Sequence, residues 1–214
     1  MNLDFSDEQK QLREQVRRFL SEKCTPAIVR KILETDETYD KGLYAGLAEL
    51  GVLGAAIPEE YGGVGLGHLE LCVIAEELGR AIAPVPVSSS IYLAAEFLML
   101  AGSEEQKSSW LPKLASGEAI GTFAMVEGSG RASADKISAS VSGGMLTGTK
   151  LPVADGCDAD FAVVAAKDEA GGLSLYLVSL TGEGVTRDVL ETVDPTRGQA
   201  KLTFSGAPAE LLGV

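Results

Sequence analysis

Cysteine is scarce: Cys24, Cys72 and Cys157 are three in 214 residues, odd in number and far apart. That spacing supports neither a disulfide framework nor a zinc knuckle, and reduced thiols in a cytoplasm are the default expectation. Histidine is scarcer still. His68 stands alone without ligand partners, so it reads as a residue at a helix start and not as a base or a metal ligand. Positive charge is in deficit, with 18 Lys and Arg against 31 Asp and Glu and a formal charge of −13. Such a chain disfavours nucleic acid and anionic membrane surfaces, although a local basic pocket for a phosphate stays open. No apolar run is long enough to span a bilayer. The opening Met-Asn-Leu-Asp-Phe has no basic segment followed by an apolar one, so no signal peptide is expected there. Repeats and low-complexity tracts are also missing.

What is present is a globular composition, 45% hydrophobic, enough for one large or two small domains. The pattern first reads as helix. Ser6 and Gln9 form a capping box, with Asp7 and Glu8 in the first turn and Leu12, Val16, Phe19 and Leu20 on one face. Pro26 is expected to close that region. Tyr39, Leu43, Leu47 and Leu50 repeat at helical spacing, as do Leu71, Ile74, Ala75, Leu78 and Ile82. Between them Pro58-Glu-Glu-Tyr-Gly-Gly-Val-Gly-Leu66 makes a glycine loop. Gly63-x-Gly65-x-Gly67 follows a helix, so the strand context of a dinucleotide fingerprint is missing. Residues 88–90, all serine, are expected to cap the next helix. Ser103 and Gln106 form a second capping box, Trp110 and Leu114 share a core-facing stripe, and Gly117 ends the helical part. Glu76 and Glu77 are adjacent on a helix and read as exposed.

After Gly117 the period changes to two. Ile120, Thr122, Ala124 and Val126 alternate with Gly121, Phe123, Met125 and Glu127. Two hairpins follow, one turning at Ser142-Gly-Gly144 and one at Asp168-Glu-Ala-Gly-Gly172, and a last strand covers 201–204. The expected fold is α+β, a helical domain over 1–118 followed by a small β-barrel or sandwich domain over 119–214.

The nonapeptide at 58–66 between two helices, followed by Ala75-Glu-Glu-Leu-Gly-Arg80, resembles the acyl-CoA dehydrogenase family, and the resemblance runs from Asp4 to Val214. It implies dehydrogenation across the α and β carbons of an acyl-CoA, with FAD as hydride acceptor and an electron-transfer flavoprotein as electron acceptor. It implies a third, helical domain carrying the catalytic glutamate, which residues 1–214 do not contain. No catalytic residue and no metal ligand is therefore assigned here, and the chain alone is expected to be inactive. The flavin contacts implied by the resemblance are Phe123, Met125 and Val126 on the first strand, Ser133 in the loop after it, and Pro152 and Ala154 in Gly148-Thr-Lys-Leu-Pro-Val-Ala-Asp155.

At those positions the sequence departs from the family pattern. Glu127, Gly148 and Lys150 match. Val126 and Ala154 replace hydroxyl residues, Gly128 a proline, Pro152 a tryptophan and Asp155 an asparagine. The loop at 128–133 reads either as an anion-binding nest or as a surface loop. Pro152 is expected to end its strand at Lys150, with an irregular turn over 151–157. Arg197, in Asp194-Pro-Thr-Arg197, resembles a segment of the family's bacterial branch with paired unlike subunits; by itself it reads as an exposed arginine after an Asp-Pro turn. A non-catalytic partner subunit of a hetero-oligomer is the rival expectation. Apolar stripes including Leu43, Leu47, Leu71, Ile74 and Leu78 lead us to expect a homo- or hetero-oligomer.

Overall fold

The computed structural model describes residues 4–130 and 132–213. Residues 1–3 of the N-terminal stretch, Arg131 of the glycine loop and Val214 lie outside them.

Helices come first. Helix α1 (Asp7–Lys23) opens with the expected capping box, Ser6 Oγ accepting from Gln9 N and Gln9 Oε1 from Ser6 N. The chain does not stay irregular after it. Pro26 occupies the first turn of a second helix, α2 (Pro26–Glu34), because proline has no amide hydrogen to waste there and its φ suits a helix start. Helix α3 (Lys41–Glu49) is capped by Asp40, whose Oδ1 accepts from Leu43 N at 2.7 Å. The glycine loop follows. A side chain at Gly63 would place its Cβ 1.9 Å from the Ile57 carbonyl oxygen, so only glycine fits that approach.

Helix α4 (His68–Arg80) leads to a helical run made of α5 (Val87–Ser89), a π-helical stretch (Ser90–Ala95) and α6 (Glu96–Ala101). The three serines lie within this run and do not cap it; Pro86 precedes it, and Ser89 and Ser90 turn inward. Helix α7 (Glu104–Ser116) has the second expected capping box and stops at Gly117, whose φ of +73° makes a left-handed cap.

Glu77 is not exposed. Its side chain retains 1% of its accessible surface, held by both arms of Arg17 at 2.6 and 2.8 Å, so α4 is bonded to α1. Glu76, one residue before it, is exposed and meets Arg13 at 3.0 Å. The Arg17 hydrogen bond, against the cost of burial, holds the Glu77 carboxyl below the usual range.

Strands β1 (Gly121–Ala124), β2 (Ser140–Ser142), β3 (Met145–Ala154), β4 (Phe161–Lys167), β5 (Leu173–Ser179), β6 (Val185–Val189), β7 (Gln199–Pro208) and β8 (Glu210–Leu211) form one curled mixed sheet. Its order is β6-β7-β3-β2-β4-β5-β8, with β1 lying parallel against β4. Strand β4 is buried on both faces through Ala166, as a central strand should be. The helical layer packs onto this sheet through Trp110 against Phe161, with ring centroids 4.3 Å apart, and Phe97 against Phe123 at 4.6 Å.

Pro152 does not end β3. The strand continues to Ala154, with its pairing to β7 shifting between Lys150 and Val153. A bulge at that shift takes up the residue that cannot donate to the ladder, and pairing resumes beyond it. The turn begins at Asp155.

Candidate functional site

The candidate site forms where the chain leaving β1 runs against β3. Leu151 N donates to the Val126 carbonyl at 2.8 Å, and Thr122 Oγ1 donates to the Ala154 carbonyl at 2.6 Å. These two bonds bring together five of the six residues singled out from sequence: Phe123, Met125, Val126, Pro152 and Ala154. Phe123 directs its ring to Phe97 in the helical layer, so only its backbone is left for any contact at the strand's end. Met125, Val126 and Ala154 are half-buried and Pro152 is exposed.

Beneath that surface lies a buried ion pair. Lys150 is wholly inaccessible, and its Nζ lies 2.7 Å from Glu127 Oε1 and 3.0 Å from the Met125 carbonyl oxygen. Glu127 also accepts from Ser138 N at 2.8 Å, Ser138 Oγ at 2.5 Å and Ala139 N at 2.9 Å. Burial alone would raise the Glu127 carboxyl. The bonds from Lys150, Ser138 and Ala139 outweigh it and bring its pKa down to about 2, so the group is ionised throughout the neutral range. Burial pushes the Lys150 ammonium below the usual lysine value, and the facing carboxylate opposes that shift. The two residues that matched the family pattern most plainly therefore act as a clamp. They fix the ends of the loop at 128–137 to β3.

That loop borders a cleft lined by Met125, Val126, Gly128, Gly130, Ser133 and Lys136. Gly128 and Gly130 have φ of +149° and +107°, and nothing lies within 4 Å of a Cβ placed on Gly128. The ammonium of Lys136 is 3.8 Å from a Cβ placed on Gly130. Open glycine backbone beside a lysine is a donor set suited to a phosphate. Ser133 lines the same cleft, but its hydroxyl donates to Asp135 Oδ1.

At the far end of β3 stands Asp155, in the left-handed region at φ +53° and 3% exposed. Its Oδ2 accepts from Ser89 Oγ in the helical run and from Arg197 Nη2 at 2.6 Å. Arg197 is thus half-buried and ion-paired, not a free arginine after a turn. Neither Asp155 nor Ser89 stood out by sequence reasoning as a bonding partner. The available signal was the change from asparagine to aspartate at 155, which calls for a compensating cation. No group of three or more His, Cys, Asp or Glu side chains among the described residues is arranged to hold a metal ion.

Known proteins agree with this architecture. The sequence pattern described as "Acyl-CoA dehydrogenase, N-terminal domain" matches residues 6–118. Mitochondrial isovaleryl-CoA dehydrogenase of Pongo abelii is 36% identical over 197 residues, which cover 87% of this chain and 44% of that protein. The crystal structure of an acyl-CoA dehydrogenase complexed with FAD from Bacillus anthracis is similar, with a TM-score of 0.86 at 28% identity over 99% of this chain and 38% of that one. The ChsE4-ChsE5 complex from Mycobacterium tuberculosis gives 0.87 at 29% identity over 99% and 59%. The chain spans about half the length of the curated relatives it matches. With the N-terminal pattern covering more than half of its residues and the sheet following in the same arrangement, the chain belongs to the acyl-CoA dehydrogenase family.

Proposed function

We propose that residues 1–214 are the flavin-holding part of an acyl-CoA dehydrogenase, an oxidoreductase that removes hydrogen from the α and β carbons of an acyl-CoA thioester, with FAD as cofactor. The observation that carries this reading is the cleft at the end of β1. There glycine backbone in left-handed geometry stands beside Lys136, and Glu127 and Lys150 hold the loop against β3. FAD, when bound, supplies the hydride acceptor. The chain's own residues do the holding. The backbone of Phe123, Met125 and Val126, with Pro152 and Ala154, forms the floor for the ring system. The loop glycines and Lys136, with the backbone of Ser133, take the phosphate end. No base is assigned within residues 1–214, so the proton at the α carbon is taken by a group outside them.

In this reading the helical part covers 1–118 and the β part 119–214. The working particle is a homo- or hetero-oligomer in the cytoplasm that passes electrons to an electron-transfer flavoprotein. The support for assembly is the likeness to the ChsE4-ChsE5 complex, because Leu43, Leu47, Leu71, Ile74 and Leu78, expected to seek a partner, are buried within the chain itself. A second reading, a non-catalytic partner subunit, is favoured by one set of observations. Thr122 already occupies the Ala154 carbonyl, Asp135 occupies the Ser133 hydroxyl, and Pro152 presents neither an aromatic face nor a donor.

Colour tests the proposal. Protein purified from cells, or reconstituted with FAD and desalted, should carry the visible flavin absorbance, and Lys136→Glu should lose it by reversing the charge at the phosphate cleft. Protein that stays colourless alone but turns yellow with a related subunit would support the second reading. Colourless protein under both conditions would overturn both.

A further inference from the structure

The carboxylate of Asp155 is more deeply buried than a solvent-facing turn residue needs to be, and the proposed flavin contacts do not use it. It follows Ala154 directly, the last residue of β3 and the last of the proposed contacts. Three separate parts of the chain converge on it: Ser89 from the helical run, Asp155 from the end of β3, and Arg197 from the segment before β7. Ser89, one of the donors, is itself 1% exposed, and a further bond from Asp155 N to the Gly198 carbonyl at 2.8 Å ties the same two segments through their backbones. Arg197 keeps 32% of its side-chain surface, yet its Nη2 is spent on the carboxylate at 2.6 Å. The pair is therefore a neutral unit only while both members are present. Removing Arg197 leaves an uncompensated carboxylate in a poorly solvated place, where Coulomb interactions reach further than in water, and removing Asp155 leaves a cation that is one-third exposed and partly screened.

We infer that Asp155 and Arg197 are positioning residues that balance charge beside the ring-binding end of β3 and thereby set the reduction potential of the bound flavin. The inference rests on the flavin reading of the preceding section. Its physical basis is simple. Adding two electrons and one proton to a neutral isoalloxazine leaves it with one negative charge, so a nearby unpaired cation favours the reduced form and a nearby unpaired anion disfavours it. Asp155→Asn keeps size and hydrogen-bonding capacity but leaves Arg197 unopposed, and it shifts the potential upward, by less than the opposite change because Arg197 is one-third exposed. Arg197→Gln leaves the Asp155 carboxylate unopposed and shifts it downward. Asp155→Asn with Arg197→Gln restores neutrality and brings the potential back towards that of the unsubstituted protein, as does Arg197→Lys alone.

The experiment is spectroelectrochemical titration of the flavin-loaded protein and these four variants against a reference dye, with dissociation constants for FAD measured in parallel. Opposite shifts for the two single charge-removing variants, and cancellation in the double variant, are the expected result. A purely structural role predicts instead that both single variants weaken FAD binding and that their potentials stay put or move the same way; that outcome overturns the inference while leaving the flavin reading intact. Unsubstituted protein that holds no FAD overturns the flavin reading and this inference with it.

Discussion

Replacing Lys150 by Met is the most informative single change to the clamp. Methionine matches the length of the lysine stem, so the packing of four methylenes is largely kept and the change isolates the ammonium. What remains is Glu127, 11% exposed, with its Oε1 no longer facing a cation and the Met125 carbonyl oxygen without the bond it had at 3.0 Å. The bonds from Ser138 and Ala139 to Glu127 survive, which keeps the cost below that of an isolated buried charge. Breaking a buried pair by removing one partner costs about 3–5 kcal/mol, and the lower end applies here because three donors stay in place. A loss of about 3 kcal/mol in urea unfolding at neutral pH is expected, as a fall in the midpoint at unchanged slope. Glu127→Gln should cost about as much, because it leaves the lysine buried without its anion. A loss under about 1 kcal/mol for Lys150→Met would show that the ammonium reaches water, and would refute the clamp, since exposed pairs contribute no more than that.

Acid should weaken the fold through the same carboxylate. The Glu127 pKa is about 2 in the folded protein against an ordinary 4.5, so its stabilisation is complete above about pH 4.5 and is lost as pH falls towards 2. The shift corresponds to about 3 kcal/mol, and unfolding free energies measured from pH 5 down to 2 should be flatter in Lys150→Met than in the unsubstituted protein. Arg17→Met should destabilise more than Glu77→Gln, because it takes both short hydrogen bonds from the buried Glu77 carboxylate and leaves it only Arg13 Nε at 4.0 Å. Glu77→Gln should cost about 1 kcal/mol because the half-exposed arginine it frees can hydrate; equal losses in thermal or chemical melts would refute that order. Gly148→Ala should cost about 3 kcal/mol, since φ is +148° and the new methyl would sit 2.5 Å from the Ala139 Cβ; unchanged stability would show that β2 and β3 are not held as closely as described.

Much of the local structure was determined by sequence alone, because the forces that set it act over a few residues. Ser6 with Gln9 and Ser103 with Gln106 start helices wherever they stand, since the side chains satisfy amides three positions away. Gly117 stops one, because only glycine takes the left-handed cap without strain. Glycine pairs at 143–144 and 171–172 foretold hairpins for the same reason, whereas the alternation over 120–127 foretold a strand that stops at Ala124, leaving Met125 and Val126 beyond its end. The tight glycine loop and the order of helices before strands carried the family.

Tertiary structure decided the rest. Pro152 sits inside a strand because β7 takes up the pairing again at Val153, beyond the shift in register, whereas Pro26 opens a helix for a local reason, its place in the first turn. Glu77 reads as one more acidic residue on a polar face until α1 lays Arg17 and Arg13 over it from sixty residues away. Lys150 and Glu127 are separated by 23 positions, and Asp155 and Arg197 by 42. Nothing in either charge's own neighbourhood names its partner. Burial makes the pairing obligatory, and burial is a property of the whole packed chain.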